Sequence, residues 1–371
     1  MDSLSTNPLR RLQALGQSVW LDDLSRGLIE SGALAQMIRD DGISGVTTNP
    51  AILHHAITSG HDYDAGIRTA PAGASAEQLY EWLVLDDVGR AADLLRPVYE
   101  RTHGHDGYVS LEVSPQLARD TGRTVAEARR LFAKLARPNV MIKVPGTREG
   151  LPAVRALIAD GVNINATLLF SAERCAEVAE AWMAGLEDRA AAGRPLDTVH
   201  SVASFFVSRI DTAVDRRLDA LGSEVRDLRG LAAVACAQLA HSSRREIAAT
   251  PRWRRLIDQG AVPQRLLWAS TGTKDPASPD VKYVDALIGP DTVTTVPLAT
   301  LAAYRDHGDP APRLETAADP STLPRKLAAL GIRLDEIALQ LEAEGIRKFV
   351  EPFEHLLSAL AATRGTTGAL S

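Results

Sequence analysis

Cysteine is nearly absent from this chain of 371 residues, which contains only Cys175 and Cys236. Both lie in alanine-rich segments with helical spacing, and no CxxC pair occurs. A framework of disulfides is therefore not predicted, and the reducing cytoplasm is the expected location.

Long apolar runs are missing too. No window approaches the roughly 18 consecutive apolar residues of a membrane-spanning helix. Residues 1–16 lack the apolar core of a secretory signal. Neither a membrane partner nor secretion is expected.

Basic charge is not in excess, because the formal net charge is −6 and acidic and basic residues are interspersed. Broad nucleic-acid binding requires a net basic surface, so no nucleic-acid partner is expected. Lysine is scarce, with six lysines against 35 arginines. A lysine inside a buried segment therefore needs an explanation.

Short β-type runs alternate along the chain with longer segments of helical spacing. Strand candidates lie at about 17–22, 43–48, 108–113, 139–144, 162–167, 198–203, 265–270 and 292–296. Alternating strands and helices predict parallel βα units, and eight such units close a (β/α)8 TIM barrel. An open doubly wound sheet is the competing α/β architecture, although no GxGxxG follows the first strand candidate.

We expect a single barrel domain over residues 1–371, with additional helices at the N- and C-termini. Its core would span about 15–302, followed by a long loop at 303–325. Further helices are expected at about 324–363 and a loose tail at 364–371.

Polar side chains recur at the ends of the predicted strands. In residues 140–144 the β-branched positions share one face, and Met141 and Lys143 share the other. The barrel interior near the strand ends, where active sites of this fold lie, then receives several polar groups. These groups are Asp22, Glu112, Lys143, Asn165 and Thr167, with Asn49 after the second strand and Ser204 ending the sixth.

Each of these residues also has an ordinary interpretation. A strand-end lysine is commonly ion-paired at the surface, and a lone Asp or Glu commonly forms a structural pair or a helix cap. The TTNP run at 47–50 is by itself a turn signal. The convergence on several strand ends favours a catalytic centre, because unpartnered buried polar groups are costly.

An amine in apolar surroundings has a larger uncharged, nucleophilic fraction, so Lys143 is suited to form a Schiff base with a ketone. Asp22 and Glu112 can divide the proton transfers that carbon–carbon bond cleavage and imine hydrolysis require. Polar side chains at Asn49, Asn165 and Ser204 suit substrate hydroxyls, and Arg209 at a helix start suits a phosphate.

Metal-dependent and hydrolytic chemistry are less favoured by the sequence. The histidines at positions 54, 55, 61, 103 and 105 fall mostly in predicted loops or helix starts, without a zinc-ligand pattern. No GxSxG nucleophile elbow occurs. We expect neither a metal ion nor a cofactor.

Six segments together resemble transaldolase, and in particular the longer bacterial branch of that family. The similarity runs from about residue 10 to the LEAEGIRKFVEPFEHLL segment at 341–357. The segments are SVWLDDLSR (18–26), GVTTNPAI (45–52), YVSLEVSP (108–115), MIKVPGT (141–147), NINATLLFS (163–171) and SVASFFVSRID (201–211).

The resemblance implies a metal-free class I transferase of the non-oxidative pentose phosphate pathway. It implies transfer of a dihydroxyacetone unit from sedoheptulose 7-phosphate to glyceraldehyde 3-phosphate, giving erythrose 4-phosphate and fructose 6-phosphate. Lys143 would be the Schiff-base lysine, Asp22 the acid/base of cleavage, and Glu112 with Thr167 the pair that handles the catalytic water.

The remaining family positions concern the substrate, with Asn49, Asn165 and Ser204 matching donor contacts and Arg209 a phosphate contact. Many members carry a second phosphate-binding arginine after the seventh strand. Here that segment reads WASTGTKDP, so the role is carried over to Lys274, a point charge rather than a fork.

Three rival functions remain open. A Schiff-base fructose 6-phosphate aldolase of the same superfamily tends to carry glutamine where Glu112 stands and tyrosine where Phe206 stands. Phe206 is also expected to be a substrate-binding residue. A non-catalytic sugar-phosphate-binding barrel need not keep the lysine and both carboxylates. A transaldolase with another acceptor in a specialised pathway would share all these motifs.

The oligomeric state is a separate question, and both a monomer and a homodimer are compatible with the sequence.

Overall fold

The structure is a computed structural model that describes residues 7–315 and 319–367. Eight parallel strands form a closed barrel, in which the first strand pairs with both the second and the eighth. The predicted (β/α)8 TIM barrel is confirmed, because an open sheet would leave those two edges unpaired. The strands are β1 (Gln17–Leu21), β2 (Gly45–Thr47), β3 (Tyr108–Glu112), β4 (Val140–Pro145), β5 (Ile164–Leu169), β6 (Ser201–Phe206), β7 (Arg265–Ala269) and β8 (Thr292–Val296).

Helices fill the connections between strands and extend the barrel at both ends of the described chain. They are α1 (Pro8–Ala14), α2 (Arg26–Glu30), α3 (Ala33–Asp40), α4 (Pro50–Thr58), α5 (Asp64–Thr69), α6 (Ala76–Arg101), α7 (Thr121–Leu135), α8 (Gly150–Asp160), α9 (Ala172–Ala191), α10 (Ser208–Leu221), α11 (Ala232–Ala248), α12 (Pro251–Ile257), α13 (Lys282–Ala286), α14 (Leu298–His307), α15 (Thr322–Ala329) and α16 (Leu334–Thr367).

The strand β2 begins two residues later than predicted, and β5 and β6 begin two and three residues later, respectively. The side chain of Asn163 takes over the hydrogen bonds at this place: its Oδ1 accepts from the His200 N–H at 2.9 Å, and its Nδ2 donates to the Val140 carbonyl at 3.0 Å. When a side chain hydrogen-bonds to the neighbouring backbone, the ladder of backbone hydrogen bonds stops there. The residue pattern at this place nevertheless remains typical of a strand.

The N-terminal end of the barrel is closed by a buried polar network. Asp106 accepts hydrogen bonds from Trp20 Nε1 at 2.6 Å and from Ser18 Oγ. Arg265 lies 3.9 Å from the Asp106 carboxylate and donates to the His105 carbonyl at 2.9 Å. This end of the barrel is therefore closed by buried side chains that bond to one another.

A close backbone approach makes room for this closure. Gly45 in β2 lies against the Trp20 ring, where any Cβ would collide with the indole. Glycine at this position is thus a steric requirement of the barrel interior.

The long helix α16 crosses the carboxyl end of the barrel, with contacts to α4, α6, α10 and β5. The predicted loop at 303–325 is shorter in the structure, because α14 continues to His307 and α15 starts at Thr322. The predicted tail differs as well: residues 364–367 continue α16, and 368–371 lie outside the described residues. None of the helices that the structure describes combines the length and apolar character needed to cross a membrane.

Candidate active site

A cavity of about 770 Å³ opens at the carboxyl ends of the strands, beneath α16. Seven of the ten site residues predicted from the sequence line this cavity. These are Asp22, Asn49, Lys143, Ser204, Phe206, Arg209 and Lys274. The other three, Glu112, Asn165 and Thr167, are buried in the wall behind it.

Lys143 lies in β4, in register with Glu112 of β3 and Asn165 of β5. The side chain is buried, and its Nζ donates a hydrogen bond to the Thr48 carbonyl at 3.0 Å. Nζ is 3.8 Å from Glu112 Oε2 and 5.6 Å from the centre of the Phe349 ring. An amine held this way, at the wall of a cavity, is positioned to attack a carbonyl.

Glu112 is buried at the end of β3. Neither carboxylate oxygen has a hydrogen-bond partner within residues 7–315 and 319–367. Burial raises the pKa of Glu112 to about 7, against the opposing effect of the Lys143 charge. The carboxyl can therefore both donate and accept a proton near neutral pH.

Asp22 follows β1 and lines the cavity together with Lys143. Its Oδ1 accepts a hydrogen bond from Thr47 Oγ1 at 2.8 Å, and Thr47 is itself 2.7 Å from Thr295 Oγ1. Burial raises the pKa of Asp22, and the Lys143 charge and the Thr47 hydroxyl oppose that rise. The two threonines thus fix the orientation of the carboxylate at the cavity wall.

Asn165 supports the cavity from behind. Its Oδ1 accepts from Ser204 Oγ at 2.6 Å, and its Nδ2 donates to Ser110 Oγ at 3.1 Å. These two hydrogen bonds connect residues of β3, β5 and β6. Ser204 reaches the cavity with its hydroxyl oriented by Asn165.

Thr167 lies beside an irregularity of β5, where the register shifts between Ala166 and Leu169. Leu168 has φ of 62°, a left-handed conformation that is unfavourable for leucine. The Thr167 hydroxyl is buried and has no hydrogen-bond partner among the residues the structure describes. Strain at a strand end next to an unpaired hydroxyl is typical of a functional position.

Asn49 caps α4 from the cavity wall. Its Oδ1 accepts from the Ile52 N–H at 3.0 Å, and Pro50 occupies the first turn. The carbonyl group is used by the cap, so the amide Nδ2 remains as the donor toward the cavity.

Arg209 is the second residue of α10, and its guanidinium lies 5.2 Å from the centre of the Phe206 ring. Its buried Nη1 has no partner in the described part of the chain. Burial lowers the pKa of Arg209, opposed by the charge of Asp22. A guanidinium with an unused donor at a helix N-terminus suits a phosphate.

Two exposed lysines complete the cavity mouth, Lys274 after β7 and Lys348 on α16. With Lys143, three of the six lysines of the chain line this cavity.

Several residues of the candidate site are not predicted by sequence reasoning. Thr47 stands in the TTNP run, which gave a turn signal but no reason to assign its hydroxyl to Asp22. Lys348 and Phe349 lie on α16, whose helical pattern resembles that of any core-facing helix. Only the crossing of α16 over the barrel brings Phe349 to the Lys143 amine.

The family model for Transaldolase/Fructose-6-phosphate aldolase matches residues 19–360. The chain is 48 % identical over 360 residues to a transaldolase of Thermobifida fusca (strain YX), covering 96 % of this chain and 98 % of that protein. It is 48 % identical over 357 residues to a transaldolase of Thiobacillus denitrificans (strain ATCC 25259 / T1), covering 95 % and 99 %. It is 46 % identical over 367 residues to a transaldolase of Arthrobacter sp. (strain FB24), covering 97 % and 99 %. The chain therefore belongs to the transaldolase/fructose-6-phosphate aldolase family.

Proposed function

We propose that this protein is a transaldolase that uses Lys143 as its Schiff-base nucleophile. It moves a dihydroxyacetone unit from sedoheptulose 7-phosphate to glyceraldehyde 3-phosphate, giving erythrose 4-phosphate and fructose 6-phosphate. The observation that carries the proposal is the placement of the Lys143 amine. It shares a cavity with Asp22 and lies 3.8 Å from the buried Glu112 carboxylate.

In the first step Lys143 Nζ attacks C2 of the donor ketose. The carbinolamine then loses its hydroxyl as water to form the protonated imine. Glu112, with a pKa of about 7, supplies the proton for this departure and later takes one from the water that hydrolyses the imine. Thr167, with its unpaired hydroxyl, is assigned to hold that water.

In the second step the C3–C4 bond of the donor breaks. Asp22 accepts the proton of the C4 hydroxyl, the aldehyde leaves, and the bonding electrons move into the enamine on Lys143. The acceptor aldehyde then enters, and the same steps run in reverse with Asp22 returning the proton.

Substrate positioning is assigned to the polar groups around the lysine. Asn49 and Ser204 bind donor hydroxyls, and Asn165 holds Ser204 in place. The sugar phosphate lies against Arg209 and Lys274 at the other side of the cavity. The cytoplasm is the proposed location, in keeping with the two buried free cysteines.

Release of the three-carbon unit, the aldolase reaction, is the rival within the family. Phe206 lines the cavity and packs on Phe170 with ring centres 5.5 Å apart, so it offers no hydroxyl to a water near the imine. Glu112 holds a full carboxyl where the aldolase branch tends to carry an amide. Both features support transfer over release.

The test is reductive trapping. The protein is incubated with fructose 6-phosphate without acceptor, reduced with borohydride and mapped by mass spectrometry. A three-carbon adduct on Lys143 is expected, and erythrose 4-phosphate added before the borohydride should discharge it. No adduct, or an adduct on another lysine, would refute the catalytic assignment. Dihydroxyacetone accumulating faster than transfer would favour the aldolase.

A further inference from the structure

A second cavity of about 330 Å³ lies outside the barrel wall. Its walls come from α6, α7, the turn after β3 and α16. Glu112 lines this second cavity and not the larger one, whereas Lys143 lines the larger one and not the second. The Lys143 amine and the Glu112 carboxylate, 3.8 Å apart, therefore stand at the boundary between two separate spaces.

The second cavity is polar where it approaches Glu112. Tyr80, Ser114 and Glu127 line it beside the carboxylate. Burial, together with the negative charges of Glu112 and Glu127, raises the pKa of Tyr80. A space of this volume exceeds the roughly 30 Å³ that one water occupies in the liquid.

The outer part of the cavity is charged. Glu77, Glu81, Arg123 and Arg130 contribute to its lining, and their side chains reach the surface. The space thus extends from charged side chains at the surface to Glu112, and none of the residues at the mouth of the barrel lines it.

Schiff-base chemistry needs such a route. One water leaves when the imine forms and one water enters when it is hydrolysed, both beside the lysine. In the proposed mechanism, the whole ketose occupies the larger cavity at the first of these moments and lies between Lys143 and the cavity mouth.

We propose that the second cavity is the passage through which this water reaches and leaves Glu112, separate from the passage of the sugar phosphates. The inference rests on the proposed function. Both Glu112 oxygens are covered at rest. Passage therefore requires movement of the lining, where Tyr80 and Phe353 meet edge to face with ring centres 5.3 Å apart.

The test follows the oxygen atom at C2. Fructose 6-phosphate and erythrose 4-phosphate react briefly in water enriched in oxygen-18, borohydride stops carbonyl exchange, and fragment masses locate the label in sedoheptulose 7-phosphate. Leu85→Trp on α6 and Leu357→Trp on α16 narrow the second cavity from two different helices of its lining. Leu339→Trp, at an exposed position of α16 outside both cavities, is the matched control.

Wild type and the Leu339→Trp control are expected to give product labelled at C2 to nearly the solvent level. In the narrowed variants the water expelled from the donor should stay beside Glu112 and hydrolyse the product imine. The oxygen-18 content at C2 of sedoheptulose 7-phosphate should therefore fall several-fold. Full labelling in an active narrowed variant, or unlabelled product from wild type, would overturn the passage. Absence of any sedoheptulose 7-phosphate and of the Lys143 adduct in wild type would instead refute the proposed function.

Discussion

At the scale of single residues, the site combines one amine with two carboxyls in different surroundings. Asp22 lines the cavity and is oriented by a threonine hydroxyl, whereas Glu112 is buried and unpaired except for the nearby lysine. Burial raises the pKa of both, and for Glu112 it reaches about 7. Two carboxyls with distinct environments can serve distinct proton transfers around one nucleophile.

Asp22→Asn should block bond cleavage but not imine formation, because the amide keeps the shape and cannot accept the C4 hydroxyl proton. Trapping with fructose 6-phosphate and borohydride should then give an adduct with the mass of the complete ketose phosphate on Lys143. Asp23→Asn, the same change at the neighbouring position, should still give the three-carbon adduct. A three-carbon adduct in Asp22→Asn would contradict the assigned role.

Glu112→Gln should change how stability depends on pH. The folded pKa of about 7 lies above the unfolded value of 4.5, so the folded state binds more protons between these values. Stability of the wild type therefore falls as pH rises from about 4.5 to 7, by on the order of 3 kcal/mol. The glutamine variant lacks this loss, so its unfolding free energy relative to wild type should be higher at pH 8 than at pH 5.

Urea unfolding at the two pH values measures this difference. Glu100→Gln, which removes a carboxylate from an exposed ion pair with Arg96, is the control and should follow the wild-type pH dependence. Parallel pH curves for Glu112→Gln and wild type would show that burial does not raise this pKa.

At the scale of elements, the strands are the part that sequence predicts best. Short β-type runs predict all eight strands of the closed barrel. In β3, β4 and β5 the apolar and polar residues alternate, and the polar ones include Glu112, Lys143 and Asn165. The starts of β5 and β6 were misplaced because Asn163 substitutes side-chain hydrogen bonds for backbone ones. The position of α16 over the barrel was not predictable, since it depends on packing between parts of the chain that are distant in sequence.

The site residues that the sequence predicts lie mainly at strand ends, and those that it does not predict include two residues of α16. Lys143 and Glu112 were nominated by strand alternation, and the register of β3 and β4 pairs them. Phe349 and Lys348 are not predicted from the sequence, because the helical pattern of α16 does not show which of its faces covers the active-site cavity.

The end of α7 offers a test at this scale. Exposed Ala136 caps the helix with φ of 47°, a left-handed conformation, and its N–H donates to the Phe132 carbonyl. Ala136→Gly should raise the free energy of unfolding by about 0.5–1 kcal/mol, because glycine adopts this conformation without steric cost. Urea unfolding measures it.

The matched change is Ala249→Gly at the end of α11, where φ is −82°. Here glycine removes no strain and adds unfolded-state entropy, so a loss of about 0.5 kcal/mol is expected. Equal effects at the two positions would rule out the conformational explanation.

At the scale of the whole molecule, the two ends of the barrel have different tasks. At the carboxyl end, Glu112, Thr167 and Arg209 each have a buried polar atom without a hydrogen-bond partner among the described residues. At the amino end, Asp106 and Arg265 belong to one buried network, in which Arg265 Nε is the atom without a partner in the described ranges. Unpaired polar groups lower stability, and the closed network at the other end contributes to holding the barrel together.

Asp106→Asn should therefore reduce stability without affecting turnover. The change leaves the Arg265 guanidinium buried without its counter-charge, at a cost of about 3 kcal/mol in the free energy of unfolding. The transfer rate per folded molecule should stay at the wild-type value. Asp93→Asn, which breaks an exposed pair with Arg137, should cost under about 1 kcal/mol. A lower transfer rate per folded molecule in Asp106→Asn would contradict the separation of stability and catalysis between the two ends of the barrel.

The distribution of lysines has a consequence for chemical durability. Of the six lysines, Lys143, Lys274 and Lys348 line the larger cavity, Lys134 and Lys282 are held by carboxylates in ion pairs, and Lys326 is exposed. Sugar aldehydes of the kind this enzyme handles condense with free amines but not with the permanently protonated guanidinium of arginine. A surface whose positive charge is carried mainly by arginine presents few targets for glycation, while Lys143, the proposed nucleophile, is buried.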